Sequence, residues 1–217
     1  MKQIIAINGS PRTKWNTGSL IREAVKGAES KGAESKIFDL YKLEKFTGCI
    51  SCFGCKKPAH EGECIHQDGL TEVLEEIRSA DGLIIGSPNY LGNVTAAFRS
   101  LYERLIFQNI TYNKERPNCN KRRIPVLFVM TSNASEENYS QYGYDKMIQE
   151  YQSILHNFIG TTKIMISGDT MQVKNYSKFN WTMLDGESKT KRHETIFEDE
   201  KKKAFAFGGE MISNPWK

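Results

Sequence analysis

The stretch that decides the fold is residues 2–19, which read KQIIAINGSPRTKWNTGS. Its apolar residues 4–7 are long enough for a buried strand, and Gly9 and Pro11 end that strand. Asn16 or Thr17 is a suitable N-cap for the helix that follows, in which apolar residues recur at helical spacing as far as Ala28. A strand, a polar loop and a helix are therefore predicted to follow one another.

The polar loop of this unit carries side chains that suit a phosphate, namely Ser10, Arg12, Thr13, Asn16, Thr17 and Ser19. Hydroxyls, an arginine and the free N–H groups of a helix N-terminus together bind a phosphate dianion. Neither GxxxxGK[ST] nor GxGxxG occurs, so a triphosphate P-loop and a dinucleotide turn are unsupported. A single phosphomonoester, as in FMN, fits such a loop. The alternative is a capped helix in which the hydroxyl residues serve the turn alone.

The rest of the chain repeats the alternation of strand and helix. Further strands are predicted at residues 35–40, 82–87, 124–131 and 162–166, and further helices at 70–77, 98–105, 147–159 and 194–211. This order predicts an α/β fold with a five-stranded parallel sheet that helices cover on both faces.

Ligands of such open sheets bind at the carboxyl ends of the strands, where the strand order reverses. The loops 8–18, 88–94 and 131–135 are therefore expected to converge.

Length and composition predict one domain over residues 1–217, because the chain contains no internal repeat and no Pro/Gly/Ser-rich linker. Three segments depart from the regular pattern: a Cys-rich loop at 41–69 and polar stretches at 107–123 and 168–193. The net charge of +4 is spread out, so the short basic runs favour solvated faces over nucleic-acid binding. The chain lacks a membrane-length apolar stretch and a signal-peptide pattern, so we expect no membrane partner, a cytoplasmic location and reduced cysteines.

The loop at residues 88–94, PNYLGNV, suits a flat ring. Pro88 fixes one backbone angle, Tyr90 offers an amphipathic face, and Gly92 permits close backbone approach. The backbone N–H groups of residues 91–93 precede a helix, so we expect them to face a ligand such as isoalloxazine as donors. The alternative is an ordinary turn built from its usual residues.

Two paired motifs carry a resemblance. NGSPR (8–12) with NTGSL (16–20), followed by GSPNYLGNVTAAFRSLYERL (86–105), resembles the flavodoxin-like NAD(P)H-dependent FMN reductases and their relatives, the iron-sulfur flavoproteins. The similarity runs over most of residues 1–165. It implies a three-layer flavodoxin-like sandwich with sheet order 2-1-3-4-5, and FMN as the cofactor.

The resemblance also implies which residues bind FMN. The phosphate would lie on Ser10, Arg12, Asn16 and Thr17, and the ring against Pro88, Asn89, Tyr90, Leu91, Gly92 and Asn93, with further contacts from Thr131 and Ser132. The family implies a homodimer or homotetramer, in which segments 107–123 and 168–193 cover the flavin or build the interface.

The second motif is Cys49-x2-Cys52-x2-Cys55-x8-Cys64. Thiolates at such spacing can hold a [4Fe–4S] cluster. The motif resembles that of the iron-sulfur flavoproteins, but its last gap is longer than usual in that family. Zinc is less natural because structural zinc sites prefer two separated CxxC pairs. A third possibility is a set of reactive or unused thiols. Cys119 stands alone and is interpreted as a surface or structural residue.

Together these features predict an oxidoreductase that passes electrons from NAD(P)H through FMN to a quinone, a flavin or another small acceptor. The backbone donors near Gly92 and Asn93 are expected to stabilise negative charge on the reduced ring, and no catalytic acid or base is assigned. The alternative is an iron-sulfur flavoprotein that transfers electrons, fed by ferredoxin, to a protein or small-molecule acceptor. A simple flavodoxin fits less well because such carriers are usually acidic, and a flavin-bearing redox regulator is a further alternative.

Overall fold

The computed structural model describes residues 1–216 and contains one parallel sheet. Its strands are β1 (Gln3–Asn8), β2 (Glu34–Asp39), β3 (Gly82–Pro88), β4 (Val126–Thr131) and β5 (Thr162–Ser167). All four strand pairs are parallel and the order is β2-β1-β3-β4-β5, which confirms the predicted sheet.

Seven α-helices accompany these strands in residues 1–216. They are α1 (Asn16–Glu29), α2 (Thr71–Ser79), α3 (Ala96–Asn109), α4 (Tyr139–Tyr142), α5 (Tyr144–Phe158), α6 (Gly186–Glu194) and α7 (Ile196–Ser213). Within these residues, no helix combines the length and hydrophobicity that crossing a bilayer requires.

The core lies on both faces of the sheet, because alternate residues of a strand point to opposite sides. On one face, Ile5 and Ile7 of β1 pack among buried residues of α2, α3 and α5. On the other face, Ile4 and Ala6 pack among buried residues of α1 and α7. The apolar run of β1 therefore serves two layers at once, as in a central parallel strand.

The strand order reverses between β1 and β3, since β2 follows on one side of β1 and β3 lies on the other. The register pairs Asn8 with Gly86 and Pro88 with Thr131. The loops that leave β1, β3 and β4 therefore start side by side at one edge of the sheet.

The predicted N-cap of α1 was wrong. Trp15, rather than Asn16 or Thr17, occupies that position, and Asn16 and Thr17 are already helical. The predicted helix at 194–211 corresponds to α7, but the segment 168–193, predicted as a polar connection, contains most of an additional helix, α6. Asp185 starts α6 by accepting a hydrogen bond from the backbone N–H of Ser188 at 3.0 Å.

Candidate functional site

A cleft with about 400 Å³ of empty space opens at the carboxyl ends of β1, β3 and β4, and we call it the switch-point cleft. Nine of the twelve residues predicted to bind flavin line it: Ser10, Arg12, Asn16, Thr17, Pro88, Asn89, Tyr90, Thr131 and Ser132. Leu91 lines the neighbouring cleft instead, while Gly92 and Asn93 are not among the described residues that line either one. The phosphate-type loop and the ring-type loop therefore share one site.

The first loop is held by segment 168–193. The guanidinium of Arg12 lies over the Trp15 ring, 5.2 Å from its centroid, and donates to the carbonyl oxygen of Gln172 at 2.5 Å. Asn16 Nδ2 donates to the carbonyl oxygen of Met171 at 2.9 Å. The Oδ1 atom of Asn16 is buried and accepts no hydrogen bond within residues 1–216. An unpaired buried acceptor is costly, so this atom suits a ligand that donates a hydrogen bond, such as one with hydroxyl groups.

The second loop is a tight turn that uses its own donors. Tyr90 and Asn93 exchange backbone hydrogen bonds of 2.7 and 3.1 Å, and Gly92 N–H donates to Asn89 Oδ1 at 2.9 Å. Leu91 and Gly92 have φ values of 53° and 82°, the left-handed region that such a turn requires. The prediction that the N–H groups of residues 91–93 all face a ligand was therefore wrong, because the turn itself consumes those of Gly92 and Asn93.

The side chain of Asn89 in this loop keeps one polar atom without a hydrogen-bond partner among the described residues. Its backbone N–H donates to the carbonyl oxygen of Thr131 at 2.7 Å, which ties β3 to β4 at the cleft floor. Its Nδ2 atom is buried and has no acceptor among the described residues. The cleft therefore presents an unpaired donor on Asn89 and an unpaired acceptor on Asn16, a combination that fits a ligand rich in both hydroxyl and carbonyl groups.

The hydroxyl groups at the floor of the switch-point cleft form hydrogen bonds with other side chains of the protein. Thr17 Oγ1 and Thr131 Oγ1 lie 2.7 Å apart, and Ser132 Oγ lies 2.6 Å from the hydroxyl oxygen of Tyr139. Burial raises the pKa of Tyr139 to about 12, so this phenol stays neutral at ordinary pH. Thr17, Thr131 and Ser132 therefore join the loops to each other as well as lining the cleft.

A wider cleft adjoins the first, and we call it the outer cleft; its empty space of about 1040 Å³ is partly open solvent. The two share Asn89, Ser132 and Asn133. Its remaining walls include the aromatic and apolar side chains of Leu91, Tyr142, Tyr144 and Met183, and the acidic and basic side chains of Asp169, Asp185 and Lys189.

Lys189 is a buried cation that sequence reasoning missed. Its Nζ donates to the Asn133 carbonyl oxygen at 2.8 Å and to Asp169 Oδ1 at 2.6 Å. Asp169, with a φ of 50°, lies in the same segment 168–193, as do Thr170 and Gln172 of the switch-point cleft. The sequence signal that could have pointed to Lys189 is that segment 168–193 departs from the regular alternation of strand and helix.

A second candidate site, which we call the cysteine cavity, is a pocket with about 330 Å³ of empty space, part of which is open to solvent. Cys49, Cys52, Cys55 and Cys64 all line it, together with residues of α3, among them Arg104 and Phe107. Cys119 is not one of the described residues that line it. The CxxCxxC spacing and the return at Cys64 thus bring four thiols to one cavity.

The backbone between the first three cysteines is unusual. Ser51 and Phe53 have φ values of 54° and 56°, a region that costs free energy for residues with a side chain. Cys55 is buried, and this burial raises the pKa of its thiol, while Lys56 acts in the opposite direction. Backbone strain at functional sites persists where the surrounding structure over-determines it.

Residues 1–216 contain no group of three or more His, Cys, Asp or Glu side chains placed to bind one metal ion. The structure therefore gives no direct support for the predicted [4Fe–4S] cluster. The four thiols that line the cysteine cavity are the ligand type that such a cluster takes.

Comparison with known proteins finds similarity to FMN reductases and to iron-sulfur flavoproteins. The family model for NADPH-dependent FMN reductase matches residues 2–141. An iron-sulfur flavoprotein of Methanocaldococcus jannaschii is 39% identical over 102 residues, which are 47% of this chain and 51% of that protein. One from Archaeoglobus fulgidus is 35% identical over 104 residues, 47% of this chain and 48% of the relative. The chain thus matches about half the length of these curated relatives.

Among solved structures, an NAD(P)H:quinone oxidoreductase from Methanothermobacter marburgensis superposes with a TM-score of 0.72. The superposition covers 97% of this chain and 98% of that one at 15% sequence identity. At this identity the likeness concerns the fold, which is the flavodoxin-like architecture that the sequence predicted.

Proposed function

Because the chain belongs to the NADPH-dependent FMN reductase family, we propose that it is an FMN-dependent oxidoreductase that takes electrons from NAD(P)H and passes them to a quinone, a flavin or another small acceptor. The observation that carries this proposal is the switch-point cleft, where the two loops with family motifs face each other. Its unpaired buried atoms, Asn16 Oδ1 and Asn89 Nδ2, await a ligand with complementary groups.

The residues of the first loop would hold the phosphate end of FMN. Ser10 and Arg12 line the cleft beside the N-terminus of α1, whose positive dipole end favours an anion. The guanidinium of Arg12 has five N–H donors, and one of its nitrogens, Nη1, donates to the Gln172 carbonyl oxygen. Its other N–H groups remain for a phosphate. Asn16 would accept from a hydroxyl of the ribityl chain.

The residues of the second loop would hold the ring. Pro88 and Tyr90 offer flat apolar contact, and Asn89 Nδ2 would donate to a ring carbonyl or nitrogen. When bound, FMN supplies the redox chemistry, hydride acceptance and electron release. The side chains of this chain bind, orient and shield, and none is assigned as a catalytic acid or base.

The outer cleft would admit the second substrate. It joins the switch-point cleft through Asn89 and Ser132, and its aromatic walls at Tyr142 and Tyr144 suit stacking with a flat ring. The buried cation Lys189 adds positive charge to the wall beside Ser132 and Asn133, although Asp169 offsets part of it. This environment suits a nicotinamide or a flat acceptor such as a quinone.

The test is a visible spectrum and a steady-state assay. The purified full chain should be yellow, should release FMN on denaturation, and should oxidise NADH or NADPH in the presence of a quinone or free flavin. Colourless protein that binds no added FMN would refute the proposal. Yellow protein that leaves both nicotinamides unoxidised with every acceptor would restrict it to flavin binding.

A second candidate function, electron transfer by an iron-sulfur flavoprotein fed by ferredoxin, is favoured by the cysteine cavity. Cys49, Cys52, Cys55 and Cys64 would hold a [4Fe–4S] cluster there, which would supply one-electron chemistry. Anaerobic purification followed by iron and sulfide analysis tests the cluster. Reduction by ferredoxin without steady-state oxidation of NAD(P)H would favour this function over the first.

We further propose a homodimer or homotetramer in the cytoplasm. The side chains of Leu91 and Met183 at the outer cleft are almost fully exposed, and burying them against another copy would remove apolar surface from water. All five cysteines are free thiols, which suits a reducing compartment. Light scattering coupled to size-exclusion chromatography checks the assembly, and a monomer at micromolar concentration would refute it.

A further inference from the structure

Arg104 is a fully buried guanidinium at the wall of the cysteine cavity. It lies on α3, is 2% exposed, and heads the largest fully buried side chains of the described residues. Charged side chains are almost never this buried unless they are paired. The buried guanidinium therefore needs a compensating charge and hydrogen-bond acceptors for its N–H groups.

Two of its three nitrogens are accounted for by one segment. Nη1 donates to Asp68 Oδ1 at 2.6 Å, and Nη2 donates to the carbonyl oxygen of His66 at 2.5 Å. Both partners follow Cys64 closely in sequence, so these bonds fix the path of the chain just after the fourth cysteine.

The third nitrogen, Nε, is buried and has no acceptor within residues 1–216. Arg104 lines the cavity together with all four cysteines of the motif. An unpaired buried N–H on a charged group costs free energy, so its retention beside a cavity points to an acceptor that the cavity would hold.

Asp68 pairs with Arg104 from outside the cysteine cavity, because it is not among the described residues that line that cavity. Although burial opposes ionisation, hydrogen bonds from Arg104 and from the backbone N–H groups of Leu70 and Thr47 hold the pKa of Asp68 below its ordinary value. Asp68 is thus a carboxylate shared among several donors. Arg104 also stays charged, because a guanidinium does not lose its proton in proteins.

A [4Fe–4S] cluster with four thiolate ligands is an anion, and a buried anion requires nearby positive charge. Hydrogen bonds to the sulfurs and net charge set the reduction potential of such clusters. We propose that Arg104 is the charge-compensating residue of the cluster: its Nε–H donates to a cluster sulfur and its charge favours the reduced form. This inference rests on the second candidate function above.

The step concerned is the transfer of one electron. An external one-electron reductant, dithionite in the test, loses an electron and the oxidised cluster gains it, with no bond made and no proton moved. The reduced cluster carries one more negative charge, so the Arg104 guanidinium stabilises it more than the oxidised form. Removing this cation should therefore lower the midpoint potential.

The experiment uses the full chain purified anaerobically, and measures FMN, iron and sulfide content together with an EPR-monitored redox titration. Arg104→Gln should lower the one-electron equilibrium constant at least tenfold, a shift of about 59 mV. Arg104→Lys, which keeps a charge but lacks the Nε–H, should shift it less. Arg116→Gln is the matched control, because Arg116 pairs with Glu61 of the same loop but is exposed, and it should leave the midpoint unchanged.

Asp68→Asn supplies a test of opposite sign. It removes the carboxylate beside Arg104, so the midpoint should rise. Unchanged midpoints in Arg104→Gln would overturn the inference. If Arg104→Gln assembles no cluster, Asp68→Asn decides, and a midpoint that fails to rise overturns it.

The result for the wild-type protein separates this inference from the flavin function. Wild-type protein that contains FMN but no iron would overturn the role of Arg104 and leave the flavin proposal standing. Protein without FMN would refute the flavin proposal instead.

Discussion

The switch-point cleft and the cysteine cavity share α3 but are built in different ways. Thr95 at the start of α3 donates from its Oγ1 to the Gly9 carbonyl oxygen at 2.7 Å and so joins the helix to the first loop of the cleft. Arg104 lies on the wall of the cavity, about 12 Å further along the axis from Ala96 at 1.5 Å per residue. One helix therefore supports both sites.

The cleft depends on the topology of the sheet, and the cavity depends on individual side chains. Adjacent parallel strands place the cleft loops side by side, and hydroxyl pairs such as Thr17–Thr131 reinforce that placement. The cavity comes from one irregular loop with strained residues at Ser51 and Phe53, which a buried ion pair secures. We therefore expect single substitutions to weaken ligand binding in the cleft, but to abolish the proposed cluster binding in the cavity.

The largest effect is expected for Cys55→Ser. Cys55 is the buried member of the four thiols, and a hydroxyl is a poor replacement for a thiolate ligand. If the four thiols hold the proposed [4Fe–4S] cluster, iron and sulfide content should fall to near zero while FMN content stays unchanged, as measured by metal analysis and absorbance. Cys119→Ser is the control and should retain its iron. Retention of iron by Cys55→Ser would contradict the four-thiol cavity.

The next effect tests the shared helix. Phe98 of α3 is 1% exposed and stacks on Phe128 with ring centroids 5.6 Å apart. Phe98→Ala should lower the free energy of unfolding by about 3–5 kcal/mol, as measured by urea denaturation. Phe205→Ala on the exposed face of α7 should change it by about 0.5 kcal/mol or less. If Phe98→Ala left the unfolding free energy unchanged, the packing of Phe98 would not be what holds α3 in place beneath the two sites.

A smaller effect is expected at the phosphate end of the cleft. Arg12→Gln removes the charged side chain of the first loop, and a hydrogen bond to a charged group is worth about 1.5–3 kcal/mol. The dissociation constant of FMN should therefore rise about 10- to 100-fold, as measured by fluorescence quenching. Lys14→Gln, an exposed neighbour that does not line the cleft within the described residues, should leave it unchanged. Equal losses in both variants would mean that general charge, rather than Arg12, retains FMN.

The two regions also differ in what their sequences reveal. The apolar strands and the paired loops at 8–18 and 88–94 predicted the cleft because topology follows from periodicity. The cysteine spacing predicted four thiols in one place. Arg104 escaped notice because its role depends on an unpaired Nε, and a helical pattern gives no indication of which N–H groups find partners.

The errors have physical causes too. Residues 91–93 appeared to offer free N–H groups, but a tight turn satisfies its own donors first, as Gly92 does with Asn89. Lys189 was missed because it is the one residue of α6 that the fold buries fully, so the helix shows little amphipathic pattern. Sequence periodicity reports burial of a whole face, and it does not report burial of one charged side chain.

The smallest effect is expected at α6, the helix that places Lys189 at the outer cleft. One side chain of this helix, His193, contributes to its packing against α7. His193 stacks on Phe197 of α7 with centroids 4.8 Å apart, and burial, aided by Lys201, lowers its pKa below the ordinary 6.5. A histidine with a lowered folded-state pKa contributes stability above its unfolded-state pKa, and this contribution is lost as pH falls through the folded-state value. The difference in unfolding free energy between wild type and His193→Gln should therefore be largest near pH 8 and narrow toward pH 5, as measured by urea denaturation, with exposed His156→Gln as the control. A difference that widens on acidification would mean that His193 is stabilised as a cation, and α6 would then be held by charge rather than by stacking.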